Sequence, residues 1–255
     1  MKLDVVLGLQ WGDEGKGKIV DFLAQRYPVV ARFQGGPNAG HSIQFGDTSF
    51  VLHSVPSGVF REGAINIIGN GVVLDPTIFR QECEAIEALG IPVRERVRIA
   101  RRTNLIVPTH KLLDAADEAS LGKSKIGSTL KGIGPTYTDK ISRNGLRVGD
   151  LVCEGFAEKY ATLRRKHMAR LAQYEFTCPF DLEAAEAQWF KDAEYLKGFE
   201  LIDAEYDANA LLDSGKAILA EGAQGSMLDV DFGSYPFVTS SSTACEGARS
   251  EEHTS

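Results

Sequence analysis

The sequence predicts an α/β fold: a large, mixed, mostly parallel central sheet with flanking helices and a helical insertion. Three observations carry this. Apolar, β-branched runs at 3–9, 29–33 and 216–220 each lead into a polar segment bearing glycine; helical spacing follows the first of them; and residues 155–212 are helical in pattern almost throughout. Ligands of such sheets collect beyond the carboxyl ends of the strands, so segments 10–18, 34–41 and 221–242 are expected to line one site.

Taken in order, residues 3–9 read as a buried strand, and 17–25 as a helix with Ile19, Val20, Phe22 and Leu23 as its buried side. A second strand at 29–33 enters the glycine-rich loop 34–41. "SIQFGDTSFVLH" alternates about Gly46-Asp47 as a hairpin does, and "AINIIGNGVVL" reads as a strand with a glycine turn. Asp75 and Pro76 open an amphipathic helix that Gly90 ends. Residues 123–150 combine basic residues, hydroxyls and glycine over a length that points to a functional loop. The helical stretch breaks near Cys178-Pro179. His53 and His110 read as structural or surface histidines, and His167, in the basic run Arg164-Arg165-Lys166, as exposed.

With 255 residues, 43% hydrophobic and 25% charged, the chain is long enough to bury a sizeable core. Its net charge of −7 and dispersed basic residues leave no footprint for nucleic acid or an anionic membrane, and no run approaches the length of an apolar span. Cys83, Cys153, Cys178 and Cys245 form no C-x-x-C pair, and the N-terminus lacks an apolar signal region, so a cytoplasmic protein with reduced thiols is expected.

Gly12-Asp13-Glu14-Gly15-Lys16-Gly17-Lys18 has the G-x-x-x-x-G-K spacing of a phosphate-binding loop, placed between strand and helix where backbone N–H groups can hold phosphates. Ile19 stands where such loops carry a Ser or Thr for Mg²⁺. A carboxylate among polyphosphate ligands would repel them unless a cation intervened, which makes Asp13 the candidate metal ligand.

Six stretches, "QWGDEGKGK", "GGPNAGH", "IIGNGVV", "KGIGPTYTDK", "GLRVGD" and "AEGAQGSMLDVDFGSYPFVTSS", in order through residues 1 to about 243, together resemble the adenylosuccinate synthetase family. The resemblance implies GTP-dependent joining of IMP to L-aspartate through 6-phosphoryl-IMP, on the route to AMP. Under it, Asp13 is the catalytic base and His41 the catalytic acid; Gly12, Asp13, Glu14, Gly15, Lys16, Gly17 and Lys18 bind GTP. Asn38, Ala39, Gly40, His41, Thr129, Gln224 and Thr239 bind IMP, and Asp13 with the Gly40 carbonyl holds one Mg²⁺ per subunit. Arg143 reaches the neighbouring subunit's IMP site, implying a homodimer. Asp13 also separates the chain from related phage enzymes that use dGMP and show Ser there, favouring IMP.

Ser128, Leu130 and Lys131 depart from the family's usual Thr, small residue and Arg. Residues 1–245 are expected to form a single family domain incomplete at its C-terminus, and 246–255 a polar, disordered tail outside the family, from a truncated or frame-shifted end. On that view the chain alone is inactive in aspartate ligation. The competing reading is a non-catalytic GTP/IMP-binding fragment or a switch-like nucleotide-binding module. No guanine-selecting N-K-x-D is evident, and Asp13 with His41 is more machinery than binding needs.

Overall fold

The computed structural model describes residues 2–38, 40–45 and 48–252. β1 (Leu3–Gly8) leads through a glycine turn into α1 (Lys16–Leu23), followed by β2 (Val29–Gly35), the hairpin strands β3 (His41–Phe45) and β4 (Thr48–Leu52), and β5 (Ile65–Leu74). Then come α2 (Pro76–Glu87), the short α3 (Val93–Arg96), β6 (Val97–Ala100), β7 (Asn104–Leu105) and α4 (Pro108–Ser120). The order closes with α5 (Ile133–Ser142), α6 (Phe156–Leu171), α7 (Leu182–Leu196), β8 (Glu200–Ile202), α8 (Ala204–Asp213), β9 (Ile218–Gly225) and α9 (Cys245–Glu252).

The central sheet runs β1-β9-β2-β5-β6-β8, with β7 beside the end of β5, and its ladders are parallel. Antiparallel pairing is found in the separate β3–β4 hairpin and in a bridge from Asn104 to Arg147. This is the mostly parallel α/β sheet that the strand and glycine pattern predicts. β2 and β9 lie between neighbours and under helices, so both are buried along their whole length, whereas the edge strand β1 is half-buried. The register shifts between Val6 and Gly8 in β1–β9 and between Arg32 and Gln34 in β2–β5, which loosens the sheet at its carboxyl end.

Alternation along the strands sends Ile68 and Leu74 to one face, with Phe79 and Ile86 of α2 and Trp189 and Leu196 of α7. Ile67 and Ala31 go to the other, under Ala204, Ala208 and Leu212 of α8. Trp189 is fully buried and its indole N–H donates to the Ile106 carbonyl at 2.7 Å. The cap expected for α2 is present, Asp75 accepting from the Thr77 N–H at 3.0 Å, and Gly90 follows it with a φ of 81°.

Several expectations are corrected. β5 passes straight through Gly69-Asn70-Gly71 with no turn; the register shift against β2 falls opposite Gly69 and Asn70, whose carbonyls accept instead from Thr103 Oγ1 at 3.0 Å and Lys140 Nζ at 2.6 Å. Ile19 and Phe22 are exposed, because α1 packs through Lys16, Gly17 and Val20, a different side of the helix. Residues 123–150 are not one loop but contain α5, and the helical stretch 155–212 includes the strand β8. Cys245–Glu252 form a helix where a disordered tail is expected, and Ala248 is buried against Phe33 and Ala220. The Gly46-Asp47 turn lies outside the described residues.

His167 is buried, not exposed. Its Nε2 and that of His110 both meet Asp139 Oδ2, at 2.7 and 2.9 Å, tying α4, α5 and α6 together. Burial pushes the His110 imidazole down from 6.5 to about 4.

Two stability predictions follow from this packing. Trp189→Ala removes the indole and orphans the Ile106 carbonyl, and is expected to lower unfolding free energy by about 3–5 kcal/mol in urea titration. Trp189→Phe, losing chiefly the hydrogen bond, should lower it by roughly 1 kcal/mol. For His110, the unfolded chain takes up its proton first, so this residue's contribution is full above pH 6.5 and lost as pH falls toward 4. Glu82, raised by burial to about 7, acts oppositely, its contribution being full below pH 4.5 and lost as pH rises. The His110 share is therefore measured as the pH-dependent difference in urea midpoint between the chain and His110→Asn, which should change between pH 6.5 and 4 if the imidazole is the source and stay constant if it is not.

Candidate active site

The loop after β1 is shaped by glycines that no other residue replaces easily. Gly12 has a φ of 94°, and a Cβ there would lie 2.5 Å from the Gln224 carbonyl carbon; a Cβ on Gly225 would collide with the Gln10 carbonyl oxygen. Backbone therefore packs on backbone between this loop and the end of β9. Met227 N–H donates to Gln10 O at 3.0 Å and Ser226 Oγ to Gly8 O at 3.0 Å. Gly15, with a φ of 90°, caps α1 without a side-chain partner, so the helix opens with backbone N–H groups toward the loop. Lys16 is buried and donates to Gly12 O at 2.8 Å; burial lowers its pKa while Glu14 and Glu221 oppose that. Asp13, Glu14 and Lys18 are exposed.

His41 opens β3 and turns inward, buried, with Nδ1 hydrogen-bonded to Glu221 on β9. Glu221 is fully buried and also accepts from Ser57, by its N–H at 2.8 Å and by its hydroxyl. Burial pulls the Glu221 carboxyl upward, but its attraction to His41 and the hydrogen bonds from His41 and Ser57 hold it below the usual carboxylate range. The start of β3 approaches the glycine loop closely: a Cβ on Gly17 would lie 2.9 Å from His41 Cβ and 3.2 Å from its backbone. Arg32, directly opposite Glu221 across β2–β9, donates to the carbonyls of His53 and Gly36.

Asn38, Thr129, Gln224 and Thr239 all line one cleft of about 1040 Å³, with Trp11 of the phosphate loop at its rim. Gln224 Nε2 donates to Asn38 Oδ1 at 2.9 Å, joining β9 to the loop after β2. The departing residues have partners here: Lys131 donates to Pro37 O at 2.7 Å, and Ser128 donates to Asp114, which also accepts from the Gly132 N–H at 2.8 Å. Arg143 is elsewhere. It ends α5 in a left-handed conformation and lines a second cleft of about 660 Å³ with Arg147, Lys159 and Lys166. Ala39 lies outside the described residues.

As a metal ligand, Asp13 offers an exposed carboxylate beside the loop, and Gly40 an exposed backbone; both present oxygen, the donor a hard divalent cation takes. The ligand atoms of His110, Asp139 and His167 also gather within 4.8 Å of one another. There, however, the Val107 N–H donates to His110 Nδ1 at 3.0 Å, so Nε2 carries the proton directed at Asp139. His167 Nε2 holds a second proton toward the same oxygen, so hydrogen bonds, not a cation, account for this cluster.

Motif reading missed Glu221, Ser57, Arg32 and Tyr137, whose hydroxyl accepts from the Gly35 N–H at 3.0 Å and donates to Gly71 O at 2.7 Å. A signal for two of them exists: a single charge inside an apolar strand, as in "VVARF" and "ILAEGA", requires a buried partner.

A parallel sheet, a glycine turn opening on a helix, and a cleft beyond the strand ends define an α/β protein with a mostly parallel sheet and a glycine-rich strand-to-helix loop. The family model for adenylosuccinate synthetase matches residues 5–254, and the chain belongs to that family. The match continues through residues 246–254, which motif comparison leaves outside the family. The adenylosuccinate synthetase of Bacteroides fragilis is 58% identical over 248 residues, 97% of this chain and 58% of its own length. That of Flavobacterium johnsoniae is 55% identical, with 97% and 59% covered. The chain thus spans about 58% of the length of curated relatives it matches. The fully ligated adenylosuccinate synthetase from Plasmodium falciparum superimposes with a TM-score of 0.88 at 35% identity, over 100% of this chain and 58% of that one. A cyanophage S-2L succinoaminodeoxyadenylate synthetase bound to dGMP and dATP shares the fold, with a TM-score of 0.66 at 21% identity, over 98% and 59%.

Gly17→Ala tests the close approach. The added methyl must push the loop from His41, and a loss of about 1–3 kcal/mol in unfolding free energy is expected. Gly134→Ala, at another helical glycine without a left-handed φ, where an added Cβ would meet nothing nearer than Ser240 Oγ at 3.4 Å, is the control in the same urea titration.

Proposed function

We propose that this chain carries the phosphoryl-transfer machinery of a GTP-dependent ligase that joins IMP to L-aspartate, giving adenylosuccinate, GDP and phosphate. The observation that carries the reading is the meeting of His41, held by Glu221, with Gly17 of the phosphate loop, beside a cleft lined by Asn38, Thr129, Gln224 and Thr239. The 6-oxygen of IMP is a poor leaving group and must be phosphorylated before an amine displaces it. Asp13 removes the N1 proton of IMP, making the 6-oxygen nucleophilic. His41 hydrogen-bonds the γ-phosphoryl group of GTP as charge builds on it. Gly12 to Lys18 cradle the GTP phosphates through backbone N–H groups and lysine charge.

Asn38, Ala39, Gly40, His41, Thr129, Gln224 and Thr239 hold IMP in this reading. Asp13 and the Gly40 carbonyl would hold Mg²⁺, which when bound supplies neutralisation of phosphate charge. Arg143, placed away from the cleft, serves the IMP site of a second copy, in a homodimer. Residues 1–245 act as one domain, in a cytoplasmic protein. Among the described residues no helix is long and apolar enough to cross a membrane.

Omission assays test the proposal. Phosphate release from GTP is expected to require IMP, and Asp13→Asn and His41→Asn to lower it by at least about 100-fold. A chain that hydrolyses GTP equally without IMP is a switch-like module instead. Where turnover is too slow to follow, calorimetric titration with IMP decides, and failure to bind IMP sinks the reading.

A further inference from the structure

The structure assigns Glu221, fixed in turn by Ser57, as the positioning residue that selects which nitrogen of His41 faces a bound phosphoryl group. It deepens the reading of His41 given above and rests on it. An ionised carboxylate offers only acceptors, so the nitrogen hydrogen-bonded to it, Nδ1, must carry a proton. That leaves Nε2 as the one ring nitrogen available to a ligand, and Nε2 is buried with no hydrogen-bond partner among the described residues. A buried, unpartnered ring nitrogen on a residue packed against the glycine loop is where a phosphoryl oxygen would be held, with Nε2 donating once it carries the ring's second proton while Nδ1–H stays on Glu221.

The carboxylate cannot turn away from the ring. Ser57 holds both of its oxygens, the N–H on Oε2 at 2.8 Å and the hydroxyl on Oε1. Arg32, the obvious competitor because it faces Glu221 in register, directs its guanidinium at the carbonyls of His53 and Gly36. It supplies favourable field without occupying the oxygen that His41 needs. Nor can the ring turn over freely: flipping it would set a C–H against Glu221 Oε1 and give up a charge-assisted hydrogen bond to a fully buried carboxylate. Ser57 is itself placed by a peg beneath the site. Glu82 of α2 accepts the N–H groups of His53, Ser54 and Val55 at 3.0, 2.9 and 3.1 Å, fixing the strand end that leads to Ser57. A line of buried groups thus runs from α2 to the ring of His41.

The first measurement is the tautomer itself. In the 255-residue chain with ¹⁵N-labelled histidine, His41 is expected to show a protonated Nδ1 that exchanges slowly with water; an unprotonated Nδ1 overturns the assignment. Glu221→Gln presents an amide N–H₂ and an oxygen in place of two acceptors. It is expected to weaken binding of a GTP analogue with a non-hydrolysable γ-phosphoryl group by about 10-fold, while GDP stays within about 2-fold. Equal losses for the two nucleotides would mean that Glu221 only holds the fold, and would overturn the assignment. Ser57→Ala keeps the carboxylate, is milder for folding, and should speed Nδ1–H exchange with a selective loss of about 3-fold for the analogue. If the unaltered chain binds neither nucleotide, the phosphate-loop reading fails, and the tautomer still decides the role of Glu221.

Discussion

A carboxylate with no exposure, in the middle of an all-buried strand, is the constraint around which this site is built. Uncompensated, such a charge would cost several kcal/mol, so the chain must bring donors to Glu221 or fail to fold. It brings them from three distant places: Ser57 before β5, His41 at the start of β3, and the field of Arg32 on β2. Each of these segments is thereby fixed relative to the sheet. The site inherits its rigidity from the same requirement that makes Glu221 tolerable in the core.

The glycines serve the complementary need for closeness. Parallel strands deliver their carboxyl ends to one edge, but ordinary side chains would hold the loops several ångströms apart. Where Gly12 and Gly225 let the first loop touch the end of β9, and Gly17 lets α1 touch His41, groups from residues 10 to 41 and 221 to 227 become neighbours. The register shifts in β1–β9 and β2–β5 at this edge release the strands from regular pairing just where the loops diverge.

The helical insertion has its own organising centre in Asp139. Burial opposes ionisation of this carboxyl, yet two histidine hydrogen bonds hold it well below the usual range. One oxygen collects α4, α5 and α6 at once, which sets α5 between its two roles. Its Tyr137 braces the ends of β2 and β5, and its last residue leads into Arg143 in the second cleft.

Local pattern was enough to reveal the first strand, the phosphate loop, the Asp75 cap and the parallel α/β class, because period, glycine placement and capping are written in short stretches. The resemblance of six motifs added the family, and named Asp13, His41, Asn38, Thr129, Gln224 and Thr239, four of which share a cleft. What short stretches could not reveal was which apolar side of α1 is covered, that Gly69-Asn70-Gly71 stays in strand, or that Gly247 and Ala248 sit in a packed helix. These depend on which element lies across from them. His167 looked exposed beside three basic neighbours, and only the position of Asp139, 28 residues away in sequence, buried it. Glu221 and His41 stand 180 residues apart, so their pairing is a property of strand order, since only the placement of β9 beside β2 brings a lone buried charge to its partner.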